Sequence, residues 1–185
     1  MVSVRKTAGL IAIIAALQFL IVMLYAESIV PGFDPTQNYI SDLGIGSTAA
    51  LFNSSLIIAG ILTVALAILL YKLSKNLLFA GGVLALAISI MCIGIFPENV
   101  QPEHYFASYL TFLLGPLAAI GSFWFSKKPW KYLFAALGII SLTAAALLTN
   151  GETLGIGIGF VERVIVYPFL IWGIAFGVYL FREAD

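Results

Sequence analysis

Residues 7–25 read TAGLIAIIAALQFLIVMLY, nineteen positions without a charge and with Gln18 as the only strongly polar side chain. At about 1.5 Å per residue, a helix of this length crosses roughly 30 Å of hydrocarbon. The same kind of stretch recurs at about 47–72, 76–96, 102–126, 129–149 and 161–181. The expected fold class is therefore all-α: a polytopic membrane protein whose 185 residues form a single six-helix transmembrane domain. Composition points the same way, with 62% hydrophobic and 10% charged residues, where a soluble domain carries about a quarter charged.

The charges sort by side. Arg5, Lys6, Lys72, Lys75, Lys127, Lys128, Lys131 and Arg182 lie in the tails and the even-numbered connections. Glu27, Asp34, Asp42, Glu98, Glu103, Glu152 and Glu162 lie around the odd-numbered ones. The positive-inside bias then predicts a multi-pass protein of the cell membrane with both termini cytoplasmic and three acidic connections outside. Arg5-Lys6 before an apolar run, with Ala26 as a cleavage point, also resembles a signal peptide. The run exceeds a usual signal core, so it is expected to stay as the first span.

The connection 26–46 is the longest and has its own helix signals. Asp34 caps, Pro35 suits a first helical position, Gln37 completes a capping box and Gly44 suits a stop. A short interfacial helix is expected there, with Asn38, Ser41 and Asp42 on one face. The turn Pro97-Glu98-Asn99-Val100-Gln101-Pro102 is short, so the third and fourth helices are expected as antiparallel neighbours. Residues 152–160, with Gly155, Gly157 and Gly159 alternating, read as a pliable apolar loop that dips toward the membrane only where its backbone is covered.

Topology brings the polar residues Asn38, Asp42, Asn53, Glu98, His104, Ser108, Glu162, Arg163 and Tyr167 to one end of the bundle. Ionisable groups at membrane depth cost several kcal/mol unless paired or hydrated, so they line cavities or pair with one another. Arg163 breaks the positive-inside pattern and is expected to pair with Asp42, Glu98 or Glu162. It reads either as a structural ion pair or as a bidentate anion clamp, with Tyr167 one turn on. His104, the single histidine, precedes Ser108 by one turn and faces Glu98 across the short loop. His104, Glu98 and Asp42 are thus the candidate catalytic residues, and Arg163, Asn38, Asn53, Glu162 and Tyr167 the candidate ligand-binding ones.

Other signals exclude more than they assign. No multi-histidine spacing of a zinc hydrolase is present, so no metal and no other cofactor is expected. The acidic surface does not suit nucleic acid, which selects Lys and Arg. Cys92 sits in an apolar run and reads as a small packing residue. Asn53-Ser54-Ser55 matches a glycosylation sequon but falls within the second helix. Trp124, Trp130, Tyr132, Trp172 and Tyr179 read as interface anchors.

Three strings, in order, resemble the signatures of a prokaryotic membrane family catalogued as domain of unknown function 998. They are Asn38-Tyr39-Ile40-Ser41-Asp42-Leu43-Gly44 with Phe52-Asn53, then Gly94-Ile95-Phe96-Pro97-Glu98 with His104, then Gly159-Phe160-Val161-Glu162-Arg163 with Trp172. The resemblance implies a compact bundle of about six helices and assigns no activity. The same strings carry most of the polar residues that topology gathers.

Two classes of function follow. One is an outward-facing polar pocket that binds or processes a membrane lipid or small amphiphile. The other is a non-catalytic subunit or assembly factor, docked to a membrane-protein partner or to further copies of itself through faces rich in small residues. An ion-coupled transporter ranks below both, since no charge lies near a helix midpoint and no repeat is visible.

Overall fold

A computed structural model describes residues 3–183. Among them the chain is helical, without strands, and six helices are long and apolar enough to cross a membrane. These are α1 (Val4–Ile29), α2 (Ala49–Ser74), α3 (Leu77–Ile95), α4 (Glu103–Gly121), α5 (Trp130–Thr149) and α6 (Ile158–Arg182). The chain is an integral membrane protein. Each helix packs on its sequence neighbours, and α6 returns to α1, so the six close into a ring. A lesser contact between α4 and α6 sets α5 behind them. We call the end carrying the connections after α1, α3 and α5 the distal end, and the end where α1 begins and α6 finishes the basal end.

Local chemistry sets the helix ends. Ser3 caps α1 by accepting from the Lys6 amide at 3.1 Å. The Asn76 side chain does the same for Phe79 at the start of α3. At the far end of α1 the helix continues past Tyr25, so Glu27 belongs to the helix rather than to the loop.

The outward faces are apolar: Leu78 is 88% exposed, and Ile21, Ile61 and Ile139 are more than half exposed. Lipid tails are as apolar as these side chains, so burial alone does not hold such helices together. Close packing and buried polar bonds do. Gly9 and Gly177 face each other where α1 meets α6, and a Cβ on either would stand 2.5–2.6 Å from the other's carbonyl oxygen. Gln18 donates to the Ser55 carbonyl at 3.0 Å, joining α1 to α2. Thr111 donates to Ser89 at 2.9 Å, and Ser141 to the Ile165 carbonyl at 2.7 Å, joining α4 to α3 and α5 to α6.

Two expected interface anchors lie inside instead. Trp172 and Tyr179 are buried, on the face of α6 that carries Phe169, Trp172, Phe176 and Tyr179 as a stacked row. Their polar atoms are satisfied internally: Trp172 Nε1 donates to Ser122 Oγ at 3.0 Å, and Tyr179 Oη donates to the Phe125 carbonyl at 3.3 Å. Trp124 and Tyr132 do face outward.

Candidate functional site

The connection after α1 forms no continuous helix from Asp34. It turns at residues 35–37 and then makes a 3-10 turn at Ser41–Gly44 and another at Gly46–Thr48. Side-chain bonds to nearby backbone compete with a helix here. Asp34 Oδ1 accepts from both the amide and the hydroxyl of Thr36, at 2.8 and 2.7 Å, which holds its carboxyl below the usual carboxylate range. Asn38 accepts from the Asp34 amide at 2.9 Å and donates to Asp42 at 3.1 Å.

The first turns of α6 hold this loop. Glu162, 5% exposed, accepts the Ile40 amide at 2.5 Å. Arg163, 4% exposed, donates through Nη1 to the carbonyls of Asn38 at 3.0 Å and Gly159 at 2.9 Å. Its Nη2 meets Glu27 on α1 at 2.5 Å, and its guanidinium lies over the Phe33 ring. The expected partner was Asp42, Glu98 or Glu162; the partner found is Glu27, because ring closure sets the end of α1 against the start of α6. Tyr167 lies beside this pair. The glycines of 152–160 serve the same seat. The Phe160 amide donates to Thr36 O at 3.2 Å, and a Cβ at Gly157 or Gly159 would stand 2.1–2.2 Å from the carbonyl oxygens of Thr36 or Asn38. Rather than a pliable loop, Gly157 and Gly159 are points where two backbones touch.

Asn53, on the second turn of α2, donates to the Gly44 carbonyl at 2.9 Å and so ties the loop to α2. Glu98 comes from the turn between α3 and α4. Burial holds its carboxyl above the usual range; a bond from Ser41 opposes this, and the charge of Asp42 adds to it. Tyr39 is raised by burial first and then by the negative charges of Glu162, Glu98 and Asp42, so three carboxylates act on one phenol. His104, 4% exposed, sets Nδ1 at 2.8 Å from the Phe96 carbonyl, and Ser108 Oγ lies 3.3 Å from its Nε2.

Beneath this lattice is a partly open cavity of about 120 Å³. It runs from Ser41, Ser108 and Glu162 at the distal end to Ala12, Leu66 and Phe176 deeper in the bundle. Its wall comes from α1, α2, α3, α4, α6 and the first loop, and α5 supplies none of it. Among the described lining residues Glu162 alone is ionisable, and Phe19, Phe52, Leu86 and Ile165 typify the rest. Of the nine polar residues that topology gathers, Glu162 and Ser108 line the cavity, and Asn38, Asp42, Asn53, Glu98, His104, Arg163 and Tyr167 do not. Among the described residues no three His, Cys, Asp or Glu are grouped to hold a metal ion.

Glu27 is a site residue that sequence reasoning missed, and Ser41, which lines the cavity, was placed on the loop but not among the candidates. For Glu27 the available signal was the helical run continuing through Ala26, masked by the charge itself and by the cleavage-like alanine.

No curated protein and no solved structure matches the chain. The family model described as protein of unknown function (DUF998) matches residues 13–179, which include all three signature strings. The chain belongs to that family.

Proposed function

We propose that the bundle is a receptacle for a membrane lipid or small amphiphile. The apolar chain enters the cavity, and the polar group sits beneath the first loop beside Ser41, Ser108 and Glu162. One observation carries this reading: an apolar cavity within the bundle ends at a buried carboxylate and two serine residues. At about 120 Å³ the space is somewhat smaller than a cavity of about 150 Å³ that admits one benzene, so it takes a short apolar segment next to the polar group, and the rest of the chain lies outside it. An apolar wall with few, placed polar groups is the general form of a small-molecule site.

In this reading Arg163, Asn38 and Asn53 shape the roof, while Glu162 and Ser108 meet the ligand. The positive-inside argument sets the distal end outward at the cell membrane. Native mass spectrometry of the protein extracted gently from its own membranes tests the proposal. A monomer or homo-oligomer carrying a defined lipid mass supports it. A lipid-free chain bound to a stoichiometric foreign polypeptide overturns it in favour of a subunit role.

A further inference from the structure

The roof of the cavity contains a second chemical arrangement. His104 Nδ1 lies 2.8 Å from the Phe96 carbonyl oxygen. That oxygen can only accept, so Nδ1 carries the proton, and in the neutral ring Nε2 presents a lone pair. Ser108 Oγ is 3.3 Å from Nε2, so the hydroxyl donates to it. In a helix a Ser or Thr hydroxyl commonly returns to the carbonyl four residues back, as Thr63 and Thr143 do with Ala59 and Ile139. Ser108 is directed at an imidazole. The ring is buried, while Ser108 lines the cavity. A hydroxyl facing the site, a base bonded to it, and a third group fixing the base's tautomer are the parts of an activated nucleophile.

Resting on the amphiphile reading, we propose that Ser108 is the nucleophile and His104 the general base of an acyl-transfer reaction on a carboxylic ester held in the cavity. As Oγ bonds to the ester carbonyl carbon, the serine proton passes to His104 Nε2. The tetrahedral intermediate collapses, the bond to the alcohol oxygen breaks, and that oxygen leaves with the proton from Nε2. Water, or the hydroxyl of a second amphiphile, then attacks the acyl-serine by the same route and restores Ser108. The Phe96 carbonyl holds the ring and its tautomer throughout, the place a carboxylate takes in a serine triad.

The test uses the full chain purified in detergent and a hexadecyl fluorophosphonate, with intact and peptide mass as readout. A non-reactive hexadecyl ether amphiphile, followed by native mass spectrometry, reports occupancy of the cavity separately. The expected result is one adduct on Ser108, absent in S108A and formed about 100-fold more slowly in H104Q, while S108A still retains the ether. Retention of the ether by the wild-type chain without an adduct, or equal labelling of S108A, overturns the nucleophile and leaves the receptacle standing. Neither retention nor labelling overturns both.

Discussion

Arg163 on α6 and Glu27 on α1 meet at 2.5 Å, with side chains 5% and 11% exposed, at the point where the helix ring closes. The same guanidinium holds the Asn38 carbonyl. One cation therefore joins the last helix, the first helix and the first loop.

Removing either partner leaves a buried charge uncompensated. E27A and R163A are each expected to lower stability by about 3–5 kcal/mol. An apolar pair of similar volume, E27L with R163M, is expected to recover most of the loss in thermal melting in detergent. Equal loss in the double variant contradicts a simple ion-pair role.

Gly159 has no room for a methyl group, since its Cβ would stand 2.2 Å from the Asn38 carbonyl oxygen. G159A is expected to push the loop off α6 at a cost of about 1–3 kcal/mol. Limited proteolysis should show faster cleavage within residues 31–38. G81A, where a Cβ meets nothing within 4 Å, should leave the loop unchanged.

The carboxyl of Glu98 lies in the turn between spans and is raised above the usual glutamate range by burial, with Asp42 adding to the effect. A raised carboxyl contributes stability that is fully present below its unfolded value and is lost as pH rises through its folded value. Melting temperature should therefore fall as pH rises from the ordinary glutamate range upward. E98Q should flatten that slope; an unchanged slope contradicts the assignment.

The expected orientation is checked by single cysteines in a C92A background. N99C, in the exposed turn at the distal end, should react with an impermeant maleimide on intact cells. K128C, exposed at the basal end, should react only after the cells are opened. The reverse pattern inverts the topology.

The six spans were legible because each is a long apolar run, and length alone identifies it. Their ends were less so: Glu27 looked like loop because it is charged, yet it completes the last turns of α1. The Arg163–Glu27 pair joins positions 136 residues apart, and no local pattern says that α6 returns to α1. Trp172 and Tyr179 were misplaced for a related reason. An aromatic residue has the same composition signal whether it faces lipid or the bundle, and only the ring of helices decides; Trp172 lies in the middle of α6, away from either interface. Helical spacing set His104 and Ser108 on one face, but the Phe96 carbonyl that fixes the imidazole depends on how the 97–102 turn folds back. The cavity itself has no sequence signature, because its wall is assembled from five helices and the first loop.

Ala59, on α2, lines the cavity and is 6% exposed. The most direct measurement compares lipid retained by the wild-type chain and by A59F, each extracted gently and weighed intact by native mass spectrometry, with A15F as a second filling variant. The account predicts one defined lipid mass on the wild-type chain, and its loss in both variants while they melt as folded proteins. Folded variants that keep the same lipid would contradict it, since the lipid would then be bound outside the cavity.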